Sequence, residues 1–189
     1  MRVLPHFLTL ILASAATLAI AAEPASSLPA DAPSGFAWYE FKAGRSACLR
    51  PLDWFVKTEV KGDTAALFVS KQDIDKEGKF DTGLTLNVLR KIQNKTGKAP
   101  SQYARIYLDE LLVNHKDAER FENPPQDGMP GIGAAYVDDA ASPPVVIYTF
   151  LLADDKHDTL RLFILESPKE EWAGVWALGK QMLNCRIQR

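Results

Sequence analysis

Histidine and cysteine, the side chains that most often act as catalytic bases and nucleophiles, are few in this chain and far apart. The 189 residues include three histidines and two cysteines. His115 and His157 are the two histidines that follow the apolar N-terminal segment. A base needs a nucleophile within hydrogen-bond reach, and no Gly-x-Ser-x-Gly elbow supplies one. We therefore interpret both histidines as solvated surface residues and expect no catalytic site and no enzymatic activity.

Cys48 and Cys185 stand near opposite ends of the chain. In an exported protein, an even pair of cysteines is most simply a disulfide. A bridge would require the first strands and the last helix to be neighbours, with Cα atoms within roughly 7 Å. Two free buried thiols are one alternative, and a reactive Cys48 with a pKa lowered by Arg45 and Arg50 is another.

One acidic stretch has a spacing similar to that of a calcium-binding loop. Asp73, Asp75, Glu77 and Asp81 occupy positions 1, 3, 5 and 9, where oxygen ligands can converge on one hard cation. Position 12 is Leu84 where a bidentate glutamate is needed, and strand patterns flank the stretch, so a polar hairpin connection is the alternative. The sequence has no zinc-ligand spacing and no phosphate-binding loop. We predict no metal and no cofactor.

The composition is that of a globular domain and excludes several classes of protein. Hydrophobic residues make up 47% and charged residues 24% of the chain, which excludes a collagen-like or largely disordered protein. Lysine and arginine (22) nearly balance aspartate and glutamate (24), for a formal net charge of −2. Because nucleic-acid binding relies on a basic surface, we expect no nucleic-acid partner.

Residues 1–22 are typical of a cleaved secretory signal peptide. A positive start precedes an uncharged stretch at 7–20, and small residues follow at 19–21 in an Ala-x-Ala arrangement. A helix over that stretch rises only about 21 Å, less than the roughly 30 Å hydrocarbon core, and an uncleaved anchor is the alternative. Residues 23–35 form a Pro/Ala/Ser linker, and 36–189 form a single domain. We expect a periplasmic or secreted protein with no stable membrane span after signal cleavage.

Hydrophobic periodicity predicts strands, then a central helix. Residues 54–60 and 84–90 alternate between apolar and polar types. The inward residues of the first run are Trp54, Val56 and Val60. Between 100 and 114 the period becomes that of a helix. The apolar face of this helix is formed by Tyr103, Ile106, Tyr107 and Leu111.

The second half of the chain predicts a loop, a hairpin and a closing helix. Residues 123–131 combine proline and glycine and predict an irregular loop. Runs at 145–152 and 159–166 predict an antiparallel hairpin. Ser167 and Glu170 form a capping box, which predicts that the last helix begins there. The apolar face of this helix is formed by Trp172, Val175, Trp176, Gly179, Met182 and Leu183.

Three segments of the chain resemble the PsbP-like superfamily. They are Leu49-Arg-Pro-Leu-Asp-Trp54, Thr82-Gly-Leu-Thr-Leu-Asn-Val88, and Leu162-Phe-Ile-Leu-Glu-Ser167 followed by Trp172 and Trp176. As an order of elements, the resemblance extends over residues 45–188. It implies an α/β/α sandwich around a central antiparallel sheet, and a non-catalytic role in binding or assembly with a protein partner. It implies no set of catalytic residues.

These observations together predict an α+β fold, with a central antiparallel sheet of about five to seven strands sandwiched by helices. We expect an exported, non-catalytic binding or assembly module with an unknown protein partner. The loop at 123–133 and the hairpin tip at 153–158 are the candidate contact regions, since loops on a rigid scaffold usually carry recognition. A periplasmic carrier of a small apolar ligand or lipid is the second hypothesis. An enzyme would need an activated Cys48 or His157.

Overall fold

The computed structural model describes residues 31–126 and 128–188. The predicted signal peptide and residues 23–30 of the predicted linker lie outside these residues. The strands, in chain order, are β1 (Phe36–Phe41), β2 (Ser46–Pro51), β3 (Phe55–Lys61), β4 (Thr64–Ser70), β5 (Gly83–Arg90), β6 (Glu119–Gln126), β7 (Met129–Asp138), β8 (Val145–Asp154), β9 (Thr159–Pro168) and β10 (Arg186–Ile187). The α-helices are α1 (Ile74–Glu77), α2 (Ile92–Thr96), α3 (Pro100–Asn114) and α4 (Trp172–Met182). None of these described helices is long and apolar enough to cross a lipid bilayer.

The strands form two antiparallel sheets. The large sheet has seven strands in the order β3-β4-β5-β9-β8-β7-β6, and the small sheet has three in the order β1-β2-β10. β5 and β9 are neighbours in the large sheet although α2, α3 and the strands β6 to β8 lie between them in the sequence. The predicted central antiparallel sheet of five to seven strands is confirmed.

One face of the large sheet packs against α4 and the small sheet. Strand residues alternate between the two faces of a sheet, so every second residue of β5 points to this core. Leu84, Leu86 and Val88 are fully buried there, together with Phe163 and Leu165 of β9. Burying each such side chain stabilises the fold by roughly 1.5–3 kcal/mol.

Helix α4 packs against this core through the apolar face that the sequence predicted for the closing helix. The buried residues of α4 are Val175, Gly179 and Met182. Trp172 and Trp176 are partly buried and stack on each other, with ring centroids 5.5 Å apart. The Trp176 ring also contacts Tyr148 of β8, at 4.8 Å. The tryptophans therefore belong to the packing of the domain, as the sequence predicted.

The helix α4 begins later than the predicted capping box. Ser167 and Pro168 belong to β9, and the hydroxyl of Ser167 donates a hydrogen bond to the carbonyl of Pro168 (3.1 Å). The backbone N–H of Lys169 donates to the carbonyl of Pro144 (2.8 Å), so the chain stays attached to the sheet. Pairing with β8 overrides the local capping signal at this point.

The opposite face of the large sheet is covered at one end by α2 and α3. Leu151, Ala153 and Leu160 of β8 and β9 form a second apolar cluster with Ile92 of α2 and Ala104 of α3. The bounds of α3 agree with the predicted helix. Helices therefore lie on both faces of the sheet, and the predicted sandwich is confirmed.

Two residues that were predicted to face inward are exposed. Ile106 of α3 is 37% exposed and Val60 of β3 is 63% exposed. The buried residues of α3 are Pro100, Ala104 and Leu108, so the helix is rotated relative to the predicted face. β3 is an edge strand, so Val60 has strand neighbours on only one side and remains exposed.

The segment predicted as an irregular loop at 123–131 is a β-hairpin. β6 and β7 pair as far as Gln126 and Met129. Gly133 lies inside β7, where a Cβ atom would clash with the backbone carbonyl oxygen of Thr149 and would lie only 2.5 Å from Cζ of Phe121. Glycine is used here because the backbone of β8 and an aromatic ring both lie directly against the strand, and the strand continues through it.

Cys48 and Cys185 form a disulfide, and their Cα atoms lie 4.2 Å apart. Cys48 lies in β2, and Cys185 lies between α4 and β10, which pairs with β2. The predicted proximity of the first strands and the last helix is confirmed. The bridge therefore joins the two ends of the described domain.

Candidate functional site

The two predicted contact regions lie side by side at one end of the large sheet. The turn between β6 and β7 and the tip of the β8–β9 hairpin line a cleft of about 400 Å³. The described lining residues are Gly128, Met129, Pro130, Ala153, Asp154, Asp155, Lys156 and His157. The structure thus brings together two segments that are well separated in sequence.

Asp154 and His157 form a hydrogen-bonded pair in the wall of this cleft. One carboxylate oxygen of Asp154 lies 2.8 Å from Nδ1 of His157, and the other accepts the backbone N–H of His157 at 3.1 Å. Asp154 is only 6% exposed. Burial raises the pKa of the Asp154 carboxyl, but the hydrogen bonds from His157 outweigh burial and hold the pKa below its usual value. His157 is therefore oriented by a buried carboxylate, and its own side chain stays 42% exposed at the surface of the turn.

This pair has no nucleophile beside it among the described residues that line the cleft. An Asp–His pair activates a serine, threonine or cysteine placed within hydrogen-bond reach. None of these types lines the described part of the cleft. The nearby Thr159 hydroxyl donates to the carbonyl of His157 (2.9 Å) and so stabilises the turn itself.

The other two acids of the β8–β9 turn, Asp155 and Asp158, accept hydrogen bonds from the N-terminal residues of α3 and α2. Asp155 accepts hydrogen bonds from the backbone N–H (2.8 Å) and the hydroxyl (2.7 Å) of Ser101, at the start of α3. Asp158 accepts the backbone N–H of Gln93, at the start of α2 (2.7 Å). Carboxylates at helix N-termini satisfy N–H groups that have no partner within the helix. The turn thus fastens both helices to the sheet, and only part of it can face a partner.

His115 also packs against the domain. It lies at the C-terminal end of α3, as predicted, and its ring stacks on that of Tyr136 of β7 with centroids 3.9 Å apart. The stack attaches the end of the helix to the sheet, and the His115 side chain stays partly exposed there.

Three acids of the stretch with calcium-like spacing bind protein groups instead of converging on one point. Asp73 forms an ion pair with Lys76 (2.8 Å), and Asp75 forms one with Lys57 (2.9 Å). Glu77 accepts the backbone N–H of Asp73 (3.1 Å). The short helix α1 occupies this stretch. In residues 31–126 and 128–188, no three His, Cys, Asp or Glu side chains are grouped so that they could hold a metal ion.

A second depression, which the sequence did not reveal, combines apolar walls with carboxylates. It has a volume of about 570 Å³ and lies over the ends of β8 and β9. We name it the acidic groove; its residues are Lys79, Phe80, Asp81, Asp138, Ala141, Ser142, Pro143, Val145, Ile147, Glu166 and Pro168. Three carboxylates and one ammonium give the groove a formal charge of −2.

Glu166 is a partly buried carboxylate of the acidic groove. It lies on β9, with Ile147 of β8 on one side and Gly83 of β5 on the other in the sheet register. Burial raises the pKa of Glu166, and no cation within the described residues counteracts that effect. The side chain has therefore lost much of its hydration without gaining an ion pair.

The sequence carries little signal for the acidic groove. Glu166 ends an alternating strand pattern, where an acid normally faces solvent. The walls come from residues 79–81 and 138–147, which only the folded chain brings next to β9. An acidic residue among apolar strand neighbours is the single feature that could have pointed to it.

The comparison with solved structures decides the fold. The solution structure of the cyanobacterial PsbP protein CyanoP from Synechocystis sp. PCC 6803 superposes with a TM-score of 0.52 at 11% identity, over 87% of this chain and 99% of that chain. This chain has the PsbP-like fold. No family model and no curated protein matches the sequence.

Two further proteins with the PsbP-like fold are similar to this chain. The Ran-binding protein Mog1p of Saccharomyces cerevisiae has a TM-score of 0.51 and 18% identity, over 80% of this chain and 95% of that chain. A mutant of the protein Mog1 has the same TM-score of 0.51 and 18% identity, over 81% and 96%. The resemblance to the PsbP-like superfamily that the sequence predicted is confirmed at the level of the fold.

Proposed function

We propose that this chain is an exported binding module that holds a basic segment of a partner protein in the acidic groove. The observation that carries the proposal is Glu166, a partly buried groove carboxylate that forms no ion pair within the described residues, since the groove's ammonium, that of Lys79, pairs with Asp81 (2.8 Å). A docked cation would offset the cost of removing this charge from water. Phe80 and Ile147 also line the groove. It therefore suits a lysine or arginine whose apolar stem lies along these side chains.

Two further features support a protein partner rather than a lipid-like ligand. Four of the eleven residues of the acidic groove are charged, whereas pockets for small apolar ligands are lined mainly by apolar side chains. Mog1p, which shares the PsbP-like fold, is described as a Ran-binding protein. A fold that holds another protein in one case is a reasonable scaffold for protein recognition in this one.

Export is part of the proposal. The leader at 1–22 has the pattern of a secretory signal, and a buried disulfide such as Cys48–Cys185 persists in oxidising compartments. The partner would then be met in the periplasm or outside the cell. Intact-mass analysis of protein from its own cells should find a species that lacks the leader, and one that begins at Met1 would contradict export.

Two synthetic peptides test the proposed groove. One alternates lysine with leucine, and the other replaces each lysine with glutamate. Calorimetry at low salt should detect binding of the basic peptide alone, and Glu166→Gln should weaken that binding at least about tenfold. Asp139→Asn, an exposed acid outside the groove, is the matched control and should bind as the wild type does. Equal binding of both peptides, or an unchanged affinity in Glu166→Gln, would contradict the proposal.

The stability of the same variant gives a second readout. Because burial raises the pKa of Glu166, the folded protein holds a proton there more tightly than the unfolded chain does. The contribution of Glu166 to the free energy of unfolding is therefore lost as the pH rises through its raised pKa. At neutral pH the ionised Glu166 destabilises the folded protein. Glu166→Gln should raise the urea midpoint at pH 7 while it weakens peptide binding. A fall in both quantities would indicate a structural role instead.

A further inference from the structure

The outer side of β3 is uncovered in the part of the chain that the structure describes, where β3 is one edge of the large sheet. Two of its apolar side chains are exposed, Phe55 at 43% and Val60 at 63%. The adjoining Leu52 is 61% exposed. An open edge presents unpaired backbone N–H and C=O groups to any extended segment that approaches. β3 is therefore a place where a further strand can be added.

The pairing of β3 with β4 determines which of its backbone groups point outward. Lys61 and Thr64 flank a two-residue turn, and residues that flank such a turn form a hydrogen-bonded pair. Hydrogen-bonded and non-hydrogen-bonded pairs alternate along an antiparallel ladder. The odd-numbered residues of β3 therefore bond to β4, whereas Val56, Thr58 and Val60 direct their N–H and C=O groups away from the sheet.

We propose that β3 pairs with β3 of a second copy of this chain, antiparallel and centred on Thr58. In this register Lys57 of each copy faces Glu59 of the other, and Val56 of each faces Val60 of the other. The outward-pointing residues of the two strands exchange about six backbone hydrogen bonds. A two-fold axis through Thr58 makes the interface self-complementary, as in the commonest class of homodimer.

Charge selects this register over its neighbours. The outward-pointing backbone groups restrict well-overlapped pairings to those centred on Lys57, Thr58 or Glu59. The first places two lysines opposite each other and the third places two glutamates opposite each other, and like charges in such positions are destabilising. Centring on Thr58 places unlike charges opposite. Lys57 Nζ already lies 2.9 Å from Asp75 and 3.5 Å from Glu59 in the single chain, so pairing centred on Thr58 adds a second carboxylate, Glu59 of the other copy, near each lysine.

The same charges argue for a copy of this chain rather than an unrelated strand. Lysine on an edge strand ordinarily discourages pairing with other proteins. Lys57 therefore disfavours pairing with an uncharged or basic strand, whereas a second copy of this chain places Glu59 opposite Lys57. Edge pairing buries less surface than the roughly 1,600 Å² of a standard interface, so we expect a reversible dimer with a dissociation constant of about 10 to 500 μM.

Sedimentation velocity over a concentration series up to about 1 mM tests the dimer. Lys57→Glu and Glu59→Lys each place like charges opposite, and each should weaken association at least about tenfold. An equimolar mixture of these two single variants should recover association as heterodimers. The double variant Lys57→Glu/Glu59→Lys should recover it as a homodimer. The ion pair of Lys57 with Asp75 is exposed, so its loss should change the stability of the monomer little.

A backbone variant separates strand pairing from side-chain charge. Thr58→Pro removes an N–H that points away from the sheet, so it should block the dimer and leave the edge strand of the monomer in place. Urea midpoints near that of the wild type show that the variants are folded. Wild-type protein that stays monomeric throughout the series overturns the proposal. So does a dimer that is insensitive to both the charge reversals and the proline.

Discussion

The Asp154 carboxylate keeps its charge although it is almost fully buried, because His157 donates a hydrogen bond to each of its oxygens. The positive charge of the nearby Arg161 acts in the same direction on the pKa of Asp154. The β8–β9 turn is therefore built around an ionised carboxylate, and the pH at which that carboxylate is protonated matters for the stability of the turn.

Replacing Asp154 tests this account. Asp154→Asn should lower the free energy of unfolding by about 1.5–3 kcal/mol at pH 7, the range for hydrogen bonds to charged groups. The folded pKa lies below the ordinary value of 3.8. The stabilisation is therefore present above the unfolded pKa and is lost as the pH falls through the folded pKa. Urea unfolding at pH 7 and pH 3 should show a smaller difference between variant and wild type at pH 3.

Asp139→Asn is the control for that measurement, because Asp139 is exposed and should be nearly neutral at both pH values. A difference between Asp154→Asn and wild type that stays constant with pH would mean that the ionised carboxylate is not what stabilises the turn.

At the scale of single residues, the sequence shows the chemistry of a side chain but not its surroundings. Asp155 and Asp158 have the composition of a solvated turn, yet they bond to residues 54 and 65 positions away in the chain. Glu166 has the pattern of an outward-facing acid, yet it lies in a groove. These contacts depend on the topology of the sheet, which hydrophobic periodicity does not determine.

At the scale of elements, the contact between α4 and β9 depends on one glycine. A Cβ atom on Gly179 would lie 2.2 Å from Cδ2 of Leu165, which is fully buried. Gly179→Ala should therefore destabilise the protein by about 1–3 kcal/mol, the usual cost of overpacking a core, even after the gain in helix propensity. Thermal or urea unfolding measures this change.

Gly174 provides the matched comparison within the same helix. A Cβ atom there would meet nothing within 4 Å. Gly174→Ala should therefore stabilise the protein by about 0.5–1 kcal/mol through helix propensity and a less flexible unfolded chain. If both alanines changed stability in the same direction, the close approach of α4 to Leu165 would not be the reason for the glycine.

The elements that the sequence predicted well are those whose signal is local. The helix α3 and the β8–β9 hairpin have strong periodicity and lie where expected. The sequence indicates strands at 119–122 and 132–137, but it did not predict that β6 and β7 continue into 123–131, because proline and glycine in a strand have the same signal as a turn. The start of α4 was misplaced because pairing between β8 and β9 continues through residues with a good capping pattern.

At the scale of the whole molecule, the disulfide constrains the chain more than any other single contact. Cys48 and Cys185 are 137 positions apart, and closing so large a loop restricts the unfolded chain strongly. Cys48→Ser/Cys185→Ser should lower the free energy of unfolding by about 2–5 kcal/mol. Urea unfolding of wild type with and without reductant is the companion measurement. Reduced wild type should resemble the double variant, and a midpoint that reductant leaves unchanged would contradict the expectation.

The layered architecture could be predicted from the order of the elements, but the small sheet could not. β10 has two residues, too few for any periodicity to show. It completes a sheet whose other strands lie at the opposite end of the described chain. The cysteine pair was the one sequence feature that predicted the two ends to be neighbours.

The joining of β2 to β10 has a consequence for how the protein is made. During synthesis, Cys48 and the rest of β2 leave the ribosome long before Arg186 and Ile187 do. Until then, the thiol has no partner and one side of the strand has no neighbour. A nascent chain that stalls before Cys185 therefore keeps a free thiol and leaves one side of β2 without its neighbour, two features that distinguish an unfinished molecule from a finished one.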